Sequence, residues 1–382
     1  MSLLMFRSIT ILFLTFKLFG FDFSQKIEID TSLRILHPSP MYLTSGDALK
    51  GHRDFEKRLK KDQIDIVNDY YLIFRYRDNF FISRWIKLIN ENNGNPLMKI
   101  WFINAISQMN DSKNLKYAAI FKNSSNAIIR ECVANAYGFL ADSDSIPGLK
   151  EWLKKEGNGY VCKTIEASIK AIKNGGFRNR IPYLPKYYNE KPLKLDYIYN
   201  RKVNDDPSMH YFEGDTTETA IQCDSFIYPH QQYVWKLKNS PKRGYFGSKT
   251  GRIYHIGIDS GWLLEGLPVH SICDGIVKMI SHNLSWGNIV VVESVVSSAD
   301  TICAIYGHLS PYNNLNVGDT VYMGDRIGQI GNSVTYDNGG YWAHVHFGIE
   351  KRSFSNADIS GYDIDTVFYE NPITFIGEKQ NQ

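Results

Sequence analysis

The last 157 residues alternate short aliphatic and β-branched runs with turn residues. Such runs, bounded by Gly, Asn, Asp or Ser, are typical of β-strands. The predicted strands are Ile253–Ile258, Ile276–Ile280, Ile289–Glu293, Thr301–Tyr306, Arg326–Ile330 and Ala343–Glu350. Short strands with frequent turns predict an all-β domain over residues 226–382, an antiparallel sheet with a barrel-sandwich-like form.

Apolar and small residues recur at helical spacing between residues 91 and 176. Segments starting at Leu97, Ile128 and Val161 align about thirty residues apart, each with a basic residue two positions on. This spacing resembles HEAT-like repeats, which are stacked helix pairs that offer a binding surface to a protein partner. An unrelated small helical bundle is the alternative. The fold class is therefore multi-domain, with a helical region before the β-domain.

Two further segments show no sustained period. Residues 25–90 form an N-terminal region of unclear fold. Residues 177–225 are polar, rich in tyrosine and punctuated by Pro and Gly, which is typical of a linker or of an extended segment that wraps around a neighbouring domain.

Residues 1–24 place Arg7 before an apolar run from Ile9 to Phe16. The run is too short to span a bilayer, and the order of charge and apolar residues is typical of a secretory signal peptide. Gly20 and Ser24 are candidate cleavage positions. This pattern predicts export to the periplasm or cell envelope without a stable transmembrane anchor. A buried N-terminal strand or helix is the alternative.

Composition narrows the function classes only slightly. A chain of 382 residues is long enough for two domains, each with its own core. The net charge of +3 is small, so no nucleic-acid partner is expected. The five cysteines are an odd number without a Cys-x-x-Cys pair, which argues against a disulfide framework, although Cys273 and Cys303 could be neighbours in the sheet.

Five polar residues near the C-terminus carry the candidate chemistry. They are His255 and Asp259 in YHIGIDSG, His308 in YGHLS, and His344 and His346 in AHVHFGI. Imidazole and carboxylate are ligands that zinc prefers, and alternate residues of a strand share a face, so the His-x-His pair faces one site. The His-x-x-x-Asp pair and the His-x-His pair are each common by chance. The five residues together are two more than the three protein ligands of a catalytic zinc, and the two additional residues suit general acid and base chemistry.

From about Phe226 to Glu350 the sequence resembles the lysostaphin-like (LytM-type) zinc endopeptidases of bacterial peptidoglycan. The resemblance consists of ordered blocks: YP at 228–229, YFGSKTGR, HIGIDSG, GLPVHSICDGIV, WGNIVVVES, TICAIYGHLS, VGDTVYMGDRIGQIGNS and AHVHFGIE. It implies a zinc-dependent hydrolase that cuts stem or cross-bridge peptides of peptidoglycan during cell-wall remodelling or lysis.

The resemblance also implies a role for each site residue. His255, Asp259 and His346 would be zinc ligands, and His308 and His344 would be the catalytic imidazoles. Two departures are visible. Gly348 stands where the family often has an acidic or polar residue, and Ser248 with Lys249 stands where an arginine commonly follows Phe-Gly. Neither departure removes a ligand, so both are expected to affect substrate preference more than catalysis.

Two other functions stay open at this point. Some relatives that have lost ligands act as silent cell-wall binding proteins or as activators of a cell-wall amidase. A scaffold whose helices dock a partner is a third possibility. All five site positions are filled here, which favours the enzyme. Because these positions all follow Phe226, the sequence predicts that a fragment from about Asp224 onward folds, binds zinc and acts without the helices.

Overall fold

A computed structural model describes residues 22–23, 82, 86, 89, 96–109, 111–178, 211–214, 216, 218–233, 244–283, 286–297, 300–332, 338–339 and 341–380. Most of the expected signal peptide, of residues 25–90 and of the tyrosine-rich segment therefore lies outside the described residues. Within them, no helix combines the length and the apolar character needed to cross a membrane.

Six α-helices have both ends within the described residues. They are α1 (Pro96–Gln108), α2 (Leu115–Ala119), α3 (Ala127–Leu140), α4 (Ile146–Leu153), α5 (Gly159–Lys173) and α6 (Pro372–Gln380). The side chains of Asn126 and Asn158 cap α3 and α5 by accepting hydrogen bonds from backbone N–H groups of the first turn. The three aligned segments are thus α1, α3 and α5, and α3 packs against both others. The helical region is confirmed, and its HEAT-like character stays a prediction.

Fourteen β-strands occur in the part of the chain that the structure describes. They are β1 (Tyr211–Gly214), β2 (Ile221–Gln222), β3 (Lys249–Thr250), β4 (Ile253–His255), β5 (Gly257–Ser260), β6 (Pro268–His270), β7 (Gly275–Asn283), β8 (Gly287–Val295), β9 (Thr301–Leu309), β10 (Thr320–Val321), β11 (Arg326–Gln329), β12 (Val345–Glu350), β13 (Tyr362–Asp363) and β14 (Tyr369–Glu370). The main sheet runs β1-β7-β8-β9-β12-β14, with β2, β5 and β10 paired to its members. Its pairs are antiparallel except β2 with β8. The antiparallel β-domain is confirmed.

One predicted strand is wrong in a way that matters for the site. The segment Ile253–Ile258 breaks at Ile256 into β4 and β5. β4 pairs with β3 and β13 in a small separate sheet, whereas β5 pairs with β12 of the main sheet. The alternation of side chains cannot reveal such a change of sheet, because both halves keep an extended backbone.

Helices and sheet share one hydrophobic core. This core includes side chains of α1, α3 and α5 together with those of β7, β9 and β12. A smaller cluster gathers Met279, Ile289, Val291, Cys303 and Ile305. All five cysteines are buried free thiols. Cys273 lies in the large core and contacts Ser294 and Cys223 rather than Cys303, so the expected proximity of Cys273 and Cys303 is not found.

Buried polar contacts join the helices to the sheet. Glu131 of α3 is completely buried; its carboxyl group is hydrogen-bonded to Nε2 of His270 of β6, at 2.7 Å, and accepts a hydrogen bond from Gln231. Asn135, one turn further along α3, accepts a hydrogen bond from Nε of Arg326 at 2.9 Å. Buried charges are tolerated only where they find such partners. These contacts therefore belong to the native arrangement of helices and sheet.

Residues 22 and 23 also pack against this unit. The carbonyl of Asp22 accepts a hydrogen bond from the N–H of Gly159 at 2.6 Å. The ring of Phe23 meets that of Tyr160 edge to face, with centroids 5.0 Å apart, and lies so close to Gly159 and Gly324 that a Cβ at either position would touch it.

Candidate metal centre and its imidazoles

Strand β12 brings the candidate ligands together. Its residue His346 lies opposite Asp259 of β5 in the antiparallel register, and opposite Gly307 of β9 on the other side. His255 is the last residue of β4, directly before the break at Ile256. The three side chains converge because two paired strands and the end of a third meet at this point of the sheet.

The three donor atoms form a compact triangle. Nε2 of His255 lies 2.9 Å from Nδ1 of His346 and 3.2 Å from Oδ1 of Asp259, and Nδ1 of His346 lies 3.1 Å from that oxygen. Ligands of a tetrahedral zinc with bonds of about 2.0–2.2 Å lie about 3.3–3.5 Å apart, so the triangle and its donor types fit this ion. Among the described residues these three form the group that could hold a metal.

The outer nitrogen of one ligand is held by the backbone. Nδ1 of His255 lies 3.2 Å from the carbonyl of Tyr245, which can only accept a hydrogen bond. Nδ1 therefore carries the proton, and Nε2 offers its lone pair to the centre of the triangle. Such an orienting contact is usual for metal-ligating histidines. Nε2 of His346, by contrast, is buried with no hydrogen-bond partner in the described part of the chain.

The carboxylate of Asp259 stays ionised. Burial alone would raise its pKa, but the neighbouring imidazoles of His344, His255 and His346 outweigh this effect and hold the pKa well below its usual range. The centre therefore keeps one negative charge at neutral pH, which favours a cation.

His344 stands just before β12 with its ring turned toward the triangle. Its Nδ1 donates a hydrogen bond to the carbonyl of Trp342 at 2.6 Å, so the unprotonated nitrogen is Nε2, 3.6 Å from Oδ1 of Asp259. The imidazole of His344 stacks on the indole of Trp262, with centroids 4.4 Å apart and an interplanar angle of 15°.

His308 reaches the same place from β9. Its φ of 60° is unusual for a residue with a side chain. The carbonyl of Trp286 accepts hydrogen bonds from both its backbone N–H and its Nδ1, each at 3.0 Å, which stabilises this conformation and leaves Nε2 as the basic nitrogen. The rings of His308 and His344 have centroids 4.6 Å apart.

Both of these imidazoles are neutral at pH 7. Burial lowers the pKa of His308 well below its usual value, with a further contribution from His344, and burial also lowers the pKa of His344. Two neutral rings with their Nε2 lone pairs next to a metal triangle can each accept and return a proton.

Residues 254–358 match the family described as Peptidase family M23. The chain contains a peptidase M23 domain. The matched range includes all five predicted site residues and none of the helices α1 to α5. No curated protein sequence is significantly similar to this chain.

Two solved structures are similar to this chain at low sequence identity. The protein cbpa of L. salivarius REN is 20% identical and covers 42% of this chain and 99% of its own, with a TM-score of 0.29. A protein assigned as glycyl-glycine endopeptidase lytM of Ruminococcus gnavus is 17% identical and covers 58% of this chain and 80% of its own, with a TM-score of 0.20. Sequence identities and TM-scores this low support no conclusion about function.

Several aromatic residues of the M23 domain site were missed by the sequence reasoning. Trp262 stacks on His344, the rings of Trp286 and Tyr362 contact His346 and His255, and Tyr341 contacts His308. A signal was present, since Trp262 follows Asp259 by three residues and Tyr341 precedes His344 by three. Aromatic residues are more often part of a core, so spacing alone does not identify such contacts.

Proposed function

We propose that this protein is a zinc-dependent endopeptidase that hydrolyses peptide bonds of bacterial peptidoglycan. The observation that carries the proposal is the convergence of five side chains in the M23 domain: a His, Asp, His triangle of donor atoms next to two neutral imidazoles. A structural metal site needs no such imidazoles, because its ligands fill the coordination shell.

The ligands would be Nε2 of His255, Oδ1 of Asp259 and Nδ1 of His346. Bound there, zinc would supply a Lewis acid for the scissile carbonyl and lower the pKa of water. The negative charge of Asp259 favours the bound ion, and the carbonyl of Tyr245 keeps His255 in the required tautomer.

His344 and His308 would carry the protons. Each has its Nδ1 bound to a backbone carbonyl, so each presents Nε2 to the reacting groups. One ring would accept the proton of the attacking water at Nε2 and, once protonated there, return it to the leaving amine. The other ring would stabilise the developing oxyanion when its own Nε2 carries a proton. Their depressed pKa values support this role, because a neutral imidazole can act as a base at pH 7.

Peptidoglycan stem or cross-bridge peptides are the proposed substrates. Two tyrosines border the site, Tyr341 next to His308 and Tyr362 next to His255. They are 38% and 40% exposed and offer aromatic faces to an extended peptide. A wall substrate also requires an exported protein, as the sequence of residues 1–24 suggests. Export to the periplasm or cell envelope is part of the proposal.

Muropeptide analysis tests the proposal directly. Purified peptidoglycan of several wall types is digested with zinc-loaded protein, and the products are separated and weighed by mass spectrometry. We expect fragments heavier by one water with a new free amino group, which identify the bond that is cut. His344→Ala and EDTA-treated protein should yield none. Intact peptidoglycan of every type with zinc fully bound would favour the silent binding or amidase-activating protein instead.

A further inference from the structure

The loop between β5 and β6 connects the proposed catalytic site to the helical region. It contains Trp262 and Leu263, with Gly261 and Gly266 at its ends. Leu263 has a φ of 65°, and it shares a positive φ with only one other non-glycine residue in the described parts of the chain, His308. A side chain disfavours this conformation, so the surrounding contacts must stabilise it.

Both backbone groups of Leu263 are hydrogen-bonded to distant parts of the chain. Its N–H donates to the carbonyl of Ala343, at 2.9 Å, directly before His344. Its carbonyl accepts a hydrogen bond of 2.6 Å from Nε1 of Trp101 on α1. Trp101 is itself buried, so this contact is an internal one. The loop is thus held between a helix and the segment that carries a proposed catalytic residue.

The indole of Trp262, directly before Leu263, lies against two groups of the site. Trp262 stacks on His344 and donates a hydrogen bond from Nε1 to the backbone carbonyl of Asp259 at 3.2 Å. The indole of Trp262 therefore contacts the backbone of Asp259, a proposed ligand, and the ring of His344, a proposed catalytic residue. The stacked indole prevents the imidazole from tilting away, while Trp342 fixes its Nδ1.

We infer that Trp262 is a positioning residue for His344 and that helix α1 maintains this position through Trp101. The inference rests on the proposed function as far as catalysis is concerned. The helical region then forms part of the catalytic unit, because it contributes a hydrogen bond on which the geometry of the site depends. An error of about 1 Å in the place of a catalytic group can cost about a hundredfold in rate.

The test uses full-length protein and two variants. Trp262→Leu removes the stacked face, and Trp101→Phe removes the indole donor but keeps an aromatic ring. Phe102→Leu is the matched control, because Phe102 lies on the same helix, is fully buried and packs against Phe121 away from the loop. Zinc content, kcat and KM are measured for each protein.

We expect unchanged zinc content and KM in both variants, with kcat lower by about tenfold to a hundredfold in Trp262→Leu and by about threefold to tenfold in Trp101→Phe. Phe102→Leu should keep the wild-type kcat. A KM increase at constant kcat, or the same loss of kcat in Phe102→Leu, would overturn the inference.

An NMR readout separates the inference from the proposed function. The ring proton of His344 in ¹³C-histidine-labelled protein lies over the indole face and should show an upfield ring-current shift at fixed pH. The shift should vanish in Trp262→Leu, change in Trp101→Phe and persist in Phe102→Leu. If the wild type cleaves nothing while the shifts behave so, the proposed function fails and the positioning stands. A signal unchanged in Trp101→Phe would refute the role of the helix.

Discussion

Nε2 of His270 in strand β6 lies 2.7 Å from a carboxyl oxygen of Glu131 in helix α3, within hydrogen-bonding distance, and both side chains are completely buried. The pair joins two regions that the sequence assigns to different domains. Gln231 donates to the same carboxylate. The interface between helices and sheet is therefore a buried polar network within a common core rather than a contact between independent domains.

A first prediction follows for the isolated β-domain. Without α1 to α5, a fragment of residues 224–382 would expose the core faces of the sheet and leave His270 and Arg326 without their helical partners. We expect this fragment to be insoluble or to lack a cooperative thermal transition, contrary to the independence that the sequence suggested. Circular dichroism melting of the fragment against full-length protein decides this point.

The same interface can be tested with a single substitution. Glu131→Ala should lower the free energy of unfolding by about 1–3 kcal/mol, because it leaves the buried hydrogen-bonding groups of His270 and Gln231 unsatisfied. Glu151→Ala is the control. Its side chain is 60% exposed and pairs with Lys154 on the surface, so no measurable change is expected. If the two substitutions changed the free energy of unfolding in urea equally, the stabilising role of the buried network would be contradicted.

A second prediction divides the five site residues by function. Replacing His255, Asp259 or His346 with alanine should lower zinc occupancy after dialysis, measured by mass spectrometry. His308→Ala and His344→Ala should retain zinc and lose hydrolysis by about a hundredfold to ten-thousandfold, the usual cost of a general acid or base. Full occupancy in Asp259→Ala would refute the ligand assignment.

A third prediction concerns stability at acid pH. His230 is completely buried, accepts a hydrogen bond from the N–H of Gln232 at Nδ1 and contacts Ser260 through Nε2. Burial, with a contribution from His270, lowers the pKa of His230 to about 3. The unfolded chain therefore binds a proton below about pH 6.5 that the folded chain excludes. Stability is present above that pH and decreases as the pH falls toward 3.

The variant His230→Gln isolates this contribution. A buried neutral histidine lowers the free energy of unfolding by up to about 1.4 kcal/mol for each pH unit below 6.5. The wild type should therefore lose about 1.6 kcal/mol more than the variant between pH 6.5 and pH 5. Urea unfolding in EDTA, at several pH values, measures the two slopes without a contribution from metal binding. Parallel slopes would show that His230 is protonated in the folded state.

A fourth prediction concerns the N-terminus of the mature protein. Phe23 packs against Tyr160 and lies close to Gly159 and Gly324. Cleavage of a signal peptide after Ser24 would remove this contact, whereas cleavage after Gly20 would keep it. If the chain is exported and processed, we expect intact mass analysis to find the new N-terminus before Asp22.

A substitution measures how much this contact contributes. Phe23→Ala should lower the free energy of unfolding by about 1–2 kcal/mol, because Phe23 is half-buried and full burial of an aromatic side chain is worth about 1.5–3 kcal/mol. Tyr322→Ala, at a position 56% exposed, should change it by no more than about 0.5 kcal/mol. A mature N-terminus after Ser24, in a protein as stable as the full chain, would contradict the structural role of Phe23.

Much of the β-domain could be predicted because its determinants are local. Strand alternation located five of the six predicted strands within a few residues of their positions. His346 lies in β12 and His344 directly before it, so both rings reach the same place, and the register of β5 then brings Asp259 beside His346. The helices α1, α3 and α5 follow likewise from apolar spacing, with caps at Asn126 and Asn158.

The sequence by itself determined the strand pattern, the helical region and the five polar residues of the site, because periodicity and motif spacing are properties of neighbouring residues. Only the tertiary structure decided that the strand before Asp259 changes sheets at Ile256 and that Trp262 stacks on His344. It also decided that α1 contacts the loop beside the site and that α3 contacts β6. Trp101 and Leu263 lie 162 positions apart, and Glu131 and His270 lie 139 apart. Contacts at such separations depend on how complete elements pack, and no local pattern encodes them.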